Sequence, residues 1–437
     1  MKSRLALAVM VAGLLAAVAA PAFADPAAMP SILPLRERKP IMDQWVKLRL
    51  ERMLPEEMRR YGFDMWVVIC NENVEDPVLR PLMPEDPWAA RRLSMLVFFD
   101  KGAQGVEHIL VAHHGREFYT KDWNEDQEGQ WDALARVIRT RNPKRIGIDQ
   151  AVRIPYGDGL TAGLKEKLLK AIGPDLATRV QPAEELAVAM LERRLPEEMA
   201  VYPQVVAIAK AIIAEGFSNQ VITPEVTTED DLNWWFNQRV VDLGMERWFF
   251  NDVSLIRQGV QNPDDKVIHR GDVIHCDIGI KYLGLATDTQ ELAYVLREGE
   301  TDVPAGLKQA LDKGNRMQDI LMGEFKVGRL GNDVQAAALA KGRAEGLKPR
   351  VYTHPIGLHG HGAGAFIGLP DRQNGVVEKG DYPMHAETAY SIELSVQAQI
   401  PEWGDQEIRV PLEQEGYFSG TSARFIGGRQ TAFHLVH

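Results

Sequence analysis

Between Val273 and Asp288 the chain reads Val-Ile-His-Cys-Asp-Ile-Gly-Ile-Lys-Tyr-Leu-Gly-Leu-Ala-Thr-Asp. Apolar residues alternate around a turn containing Gly284, which is the pattern of an antiparallel β-hairpin. The midpoint between Asp277 and Asp288 falls between Tyr282 and Leu283, so a symmetric hairpin sets the two carboxylates directly opposite each other. Cross-strand Cβ atoms lie about 4.5–5.5 Å apart, and like charges placed there destabilise the pair. Ile274, Cys276, Ile278 and Ile280 share one face, which leaves His275, Asp277 and Gly279 on the other. A face that concentrates negative charge needs a compensating cation, and two divalent ions about 3.5–4 Å apart fit between such carboxylates. Two acids near a hairpin are more often simply solvated, so the decision rests on the rest of the chain.

The 437 residues suffice for two or three domains. Their net charge of -11 argues against a nucleic-acid binder, which would normally show a basic surface. Met1-Lys2-Ser3-Arg4, the apolar run Leu5 to Ala20 and the small-x-small site Ala22-Phe23-Ala24 have the layout of a cleavable signal peptide over 1–24. The apolar run is short for a spanning helix. The expected location is therefore periplasmic or secreted, with no membrane association after cleavage. Cys70 and Cys276 fall in expected buried strands of different domains, and two buried thiols fit better than a disulfide.

Residues 25 to about 40 are rich in Pro and Ala and are expected to be an extended leader. Helical spacing follows over Trp45 to Tyr61, then strand-like runs at Met65 to Cys70, Leu93 to Phe99 and His108 to Ala112. A helix over Trp131 to Arg141 and a strand over Arg145 to Asp149 complete an α/β domain, taken as 25–190, with no Gly-rich phosphate loop. From 191 to 437 the pattern is helix, helix, hairpin, helix, helix, strands. The helices are expected at Met199 to Gly216, Glu229 to Leu243 after a Thr228 cap, Gly306 to Met322, and Asn332 to Gly346. That order is a rough internal duplication.

Two further stretches carry candidate ligands. Thr353-His354-Pro355-Ile356-Gly357-Leu358-His359-Gly360-His361-Gly362-Ala363-Gly364 puts three histidines among glycines. Glycine lets backbone approach a ligand closely, and neutral imidazole is the commonest nitrogen ligand. In Ala389 to Val396 the residues Tyr390, Ile392, Leu394 and Val396 face inward and Glu393 faces the other way. After a turn at Pro401-Glu402-Trp403-Gly404, a strand over Gln406 to Leu412 sets Glu407 opposite Ile408, Val410 and Leu412. Four carboxylates and one imidazole make a suitable set for a two-metal hydrolytic site.

The region from about Arg193 onward resembles the pita-bread metallopeptidases, the family of methionine aminopeptidase, prolidase, aminopeptidase P and creatinase. The resemblance rests on Gly271-Asp272, Asp277, Gly279, Tyr282, Gly284 and Asp288, on Gly360-His361-Gly362-Ala363-Gly364, and on Ser391-Ile392-Glu393. The preceding domain resembles the N-terminal domain of the prolidase and creatinase branch. The implied fold is an α/β N-terminal domain plus an α+β pita-bread catalytic domain. The implied metal ligands are Asp277, Asp288, His361, Glu393 and Glu407, with His359 as the alternative histidine. Glu393 would serve as general base and then acid. The implied cofactors are two divalent ions, Mn, Co, Zn or Fe, among which the ligand set does not choose. His275 is a candidate partner behind Asp277.

Two departures stand out. The family places a histidine upstream of the first Asp, where this chain reads Gly259-Val260-Gln261-Asn262-Pro263. It places another shortly after the metal histidine, where this chain reads Phe366-Ile367-Gly368-Leu369, and neither position holds His. His354 is a candidate to fill one of these roles, and Leu394 stands where a Pro is common. The expected activity is hydrolysis of a peptide or amide bond, as in an Xaa-Pro dipeptidase or aminopeptidase. Two alternatives stay open: a creatinase-like hydrolase of a small non-peptide amide, and an inactive pita-bread binding protein. The expected partner is a small peptide or amide, and a homodimer is allowed.

Overall fold

The computed structural model describes residues 28–85 and 89–437; the signal peptide expected over 1–24 lies outside the described residues. The chain does not stay extended to Pro40. A helix begins at Leu35 and runs to Leu48, continues through a five-residue π-helical turn, Arg49–Met53, and ends as the helix Leu54–Arg60. Trp45, Val46, Leu50 and Met53 are buried along this rod. Leu33 donates its backbone N–H to the Tyr282 hydroxyl at 2.9 Å. These contacts with distant parts of the chain set where the helix starts, and a reading of local Pro and Ala content does not contain them.

Six strands form the N-terminal sheet: β1 (Met65–Asn71), β2 (Leu93–Asp100), β3 (Val106–Val111), β4 (Thr120–Lys121), β5 (Ile146–Ile148) and β6 (Val180–Pro182). Their order is β4-β3-β2-β1-β5-β6. Strand β1 is an unbroken apolar run because both of its faces are covered. Met65, Val67 and Ile69 pack with Leu134, Val137 and Ile138 of the helix Gln130–Arg141. Trp66, Val68 and Cys70 join the main core. Cys70 and Cys276 are both buried free thiols. The loop between β5 and the helix Ala162–Ile172 reaches toward the second domain. Glu184 holds it by accepting the backbone N–H groups of Arg153 at 2.9 Å and Ile154 at 2.8 Å.

The second domain is mixed α+β with the pita-bread layout. Its strands are β7 (Asp252–Arg257), β8 (Val260–Gln261), β9 (Val273–Ile278), β10 (Lys281–Tyr282), β11 (Leu285–Ala286), β12 (Thr289–Val295), β13 (Lys348–Val351), β14 (His354–Ile356), β15 (Thr388–Ile400), β16 (Gln406–Phe418), β17 (Ala423–Phe425) and β18 (His434–Val436). The large sheet runs β13-β15-β16-β12-β9-β7-β8, with β14 on β15, β17 on β16 and β18 on β12. The four helices fall close to their expected places, at Pro196–Gly216, Glu229–Asp242, Ala305–Met322 and Gly331–Ala344. The first pair packs on β7, β9 and β12, and the third helix packs on β15 and β16. Gly314 of that third helix lies so near β16 that a Cβ there would come within 2.5 Å of Leu412.

Each half of the domain thus contributes a hairpin, β9–β12 or β15–β16. The two hairpins meet at one pair, Gln290 opposite Glu413.

Candidate metal centre

A row of polar residues crosses five strands at the junction of the hairpins. Asp252 lies opposite Asp277, Asp277 opposite Gln290, Gln290 opposite Glu413, and Glu413 opposite Glu393. Directly opposed residues share a face of the sheet, so the row brings Asp277, Glu413, Glu393 and the Gln290 amide to one spot, with exposed Asp252 at its outer end. Asp288 joins them from the end of the first hairpin. Its backbone N–H donates to buried Glu415 at 3.0 Å, and the Thr289 hydroxyl donates to the same carboxylate at 2.7 Å. Burial pushes the Glu415 carboxyl up to about 7.

Asp277 and Asp288 do not face each other directly. The hairpin turns on Leu283 and Gly284, both at positive φ (54° and 75°), a two-residue turn centred one position later than the sequence midpoint. Asp277 therefore opposes Gln290. Parity is preserved, because Asp288 and Gln290 are two residues apart and project to the same side.

The histidine loop resolves differently from the expectation. His354, on β14 opposite Ser391 of β15, is 2% exposed. Its Nε2 lies 3.5 Å from Asp288 Oδ2, 3.5 Å from Glu413 Oε1 and 3.9 Å from Glu393 Oε2. Its Nδ1 is 3.0 Å from the Pro355 carbonyl. A carbonyl only accepts, so Nδ1 carries a proton, and Nε2 is the ring nitrogen that faces three carboxylates. His361 stands at the exposed edge, its ring 4.5 Å from that of His354 and edge-on to it. His359 is stacked on Tyr156 at 4.4 Å and lines a separate small pocket with Met42, Trp45 and Leu283.

Glu407 is not brought to the centre. It lies opposite Gln399, six residues along β16 from Glu413 or about 20 Å of extended strand, and is ion-paired with Lys348 at the surface. The glutamate in the cluster is Glu413, which is 1% exposed. The turn named from the sequence contained the signal: Glu393 and Glu413 are equidistant from Trp403, whereas Glu407 sits just past the turn.

The donors fall into three overlapping groups that can hold an ion: Asp288 with His354 and His361, His354 with Glu393 and Glu413, and Asp277 with Asp288 and Glu413. Burial holds the carboxyls of Asp277, Asp288 and Glu393 well above the usual carboxylate range, and the charge of Glu413 adds to each. Among the described residues, the buried atoms His354 Nε2 and Asp277 Oδ1 have no hydrogen-bond partner. A buried ring nitrogen and a carboxylate oxygen left without partners among further acids are costly unless a cation lies between them. The residues fit a pair of divalent ions.

Beside the donors a cavity of about 410 Å³ opens. Tyr352, Phe366, Leu369 and Lys379 line it, and Ile154, Pro155 and Tyr156 of the N-terminal domain close one side.

A dinuclear metal-binding site at the junction of two hairpins, with a substrate-sized cavity beside it, defines a metal-dependent hydrolase. The family model described as Metallopeptidase family M24 matches residues 202–424, and the chain belongs to that family. Solved structures agree on the fold. An X-Pro aminopeptidase from Thermotoga maritima MSB8 is 16% identical with a TM-score of 0.62, covering 87% of this chain and 100% of its own. An Xaa-Pro dipeptidase from Bacillus anthracis is 16% identical with a TM-score of 0.57, covering 90% and 99%. A prolidase from Thermococcus sibiricus is 16% identical with a TM-score of 0.55, covering 88% and 98%. No curated protein matches the chain in sequence.

Proposed function

We propose that the chain is a secreted, metal-dependent dipeptidase that cleaves short peptides, with Xaa-Pro dipeptides as the first class to test. The single observation that carries the metal assignment is His354 Nε2 buried among Asp288, Glu413 and Glu393 without a hydrogen-bond partner. In this reading Asp277, Asp288, His354, Glu393 and Glu413 hold the ions. His361 follows His354 by seven residues and takes the place of the histidine expected after the metal ligand, so only the upstream histidine is missing.

Divalent ions bound there supply an activated water and a Lewis acid for the scissile carbonyl. Glu393 borders both the donors and the cavity, which places its carboxylate to accept a proton and return it to the leaving amine. His361, at the cavity mouth, is placed to donate an N–H to the substrate carbonyl oxygen. Lys379, its ammonium 4.7 Å from the centroid of the Phe366 ring, puts a positive charge in the cavity wall. That charge suits the carboxylate of a short peptide. The cavity volume lies at the lower end of the range for small-ligand sites, which favours a dipeptide over a longer chain. The signal-peptide layout of residues 1–24 supports a location outside the cytoplasm.

The test is metal analysis of the purified protein, paired with hydrolysis of Xaa-Pro and Xaa-Ala dipeptides before and after Mn or Co addition. Free dipeptides should be cleaved and their C-terminal amides spared. Metal binding without turnover of any peptide or small amide would point to a binding protein instead. Absence of bound metal would remove the reading altogether.

A further inference from the structure

Gln290 sits at the middle of the acidic row, where a carboxylate on either side opposes it. Its amide nitrogen donates to Glu413 Oε2 at 2.6 Å and to Glu393 Oε1 at 2.8 Å, and lies 3.4 Å from Asp277 Oδ2. Its orientation is not free. Gln290 Oε1 is 2.9 Å from His275 Nε2, and His275 Nδ1 is 3.2 Å from the Ser254 hydroxyl. The amide oxygen only accepts, so His275 carries its proton on Nε2 and takes the Ser254 hydroxyl proton at Nδ1. Turning the amide over would aim its oxygen at three carboxylates and a proton-bearing nitrogen at another. Gln290 is 3% exposed, and water does not relieve that mismatch.

The locked amide divides the centre into unequal halves. On the His354 side, His354 Nε2, Asp288 Oδ2, Glu413 Oε1 and Glu393 Oε2 are left clear of Gln290. Their separations from His354 Nε2 of 3.5–3.9 Å are close to the roughly 3.4 Å edge of a tetrahedron around an ion with ligands at about 2.1 Å. On the Asp277 side the amide already uses the second oxygen of Glu413 and approaches Asp277 Oδ2.

We propose that the Gln290 amide, held by His275 and Ser254, occupies carboxylate donors that a second divalent cation needs, so that the cation fills the Asp277 side only by displacing it. Gln290 is then a positioning residue that keeps the acids apart while one ion is bound and sets the gap between the two affinities. The inference rests on the metal reading above, and the experiment separates the two.

Mn²⁺ is titrated by calorimetry into metal-free full-length protein, with parallel EPR to detect the exchange coupling of two nearby Mn²⁺ ions. The parent should bind one equivalent at least tenfold more tightly than the second, with the coupled signal appearing only during the second phase. Gln290→Ser should tighten the second equivalent at least tenfold and leave the first within threefold. His275→Phe, which unlocks the amide without touching the acids, should give a smaller shift in the same direction. If Gln290→Ser and His275→Phe both leave the second equivalent unchanged, or weaken both equivalents together, Gln290 is an ordinary structural support and the proposal falls. If the parent binds no Mn²⁺ at all, the metal reading itself falls and takes this inference with it.

Discussion

The exchange of Glu407 for Glu413 gives the sharpest test of the site. In the structure Glu413 faces His354 with one oxygen, accepts from Gln290 with the other, and belongs to two of the three donor groups. Glu413→Gln keeps its shape and removes one negative charge from two donor groups, within each of which the ligand atoms lie within 4.8 Å of one another. Two unit charges about 4 Å apart at an effective dielectric near 20 interact by about 4 kcal/mol, which is a floor for a carboxylate facing a divalent ion. That corresponds to roughly a thousandfold loss of metal affinity. Glu407→Gln removes half of an exposed ion pair with Lys348, worth about 0–1 kcal/mol of stability and nothing at the centre. The assay is metal retained after dialysis against a graded chelator, followed by dipeptide hydrolysis. Glu413→Gln should lose metal and at least a hundredfold in turnover, while Glu407→Gln stays within twofold of the parent on both. Metal-free Glu413→Gln should also melt above the metal-free parent, since one charge has left a repulsive cluster; that result separates loss of a ligand from loss of fold. A Glu407→Gln protein stripped of metal and activity, beside a normal Glu413→Gln, would refute the geometry.

Three further outcomes follow from other parts of the molecule. His354→Ala should lose bound metal, whereas His361→Ala should keep it and lose turnover, as read by metal content beside kcat. In the N-terminal domain Asp76 and Asp149 are buried side by side, and burial pushes the Asp76 carboxyl up to about 6 from its ordinary 3.8. A folded pKa above the unfolded one contributes stability that is fully present below about pH 4 and lost as pH rises through 6; Asp76→Asn should therefore match the parent in thermal melts near pH 4 and exceed it by on the order of 3 kcal/mol at pH 8. Tyr156→Ala removes the wall that stacks on His359 and borders the cavity, and should raise KM for dipeptides more than it lowers kcat while admitting longer peptides.

Patterns confined to one element could be read from the sequence, and patterns that depend on how elements meet could not. The four long helices follow their apolar period and caps, and each lies within about three residues of its expected ends. Alternation puts Asp277 and Glu393 on polar faces, because side-chain parity survives an error in register. Register itself did not survive: the turn turns on Leu283 at φ 54°, a conformation unusual for leucine, and no local rule selects it over the neighbouring position. Glu413 was missed for a deeper reason. Pro411 followed by Glu413-Gln414-Glu415 has the composition of a strand ending in solvent, yet β16 continues to Phe418 with all three of those residues at most 1% exposed. Such a run is tolerable inside a protein only if partners reach it from elsewhere in the chain. Here Gln290, Ser391 and His354 come to Glu413, Gln318 comes to Gln414, and Thr289 comes to Glu415, each from a segment far away in sequence or across a turn. The residues that look least like a buried strand are the ones the site is built on, and for the same reason: acids gathered out of water are unstable alone and gain their place from what they jointly bind.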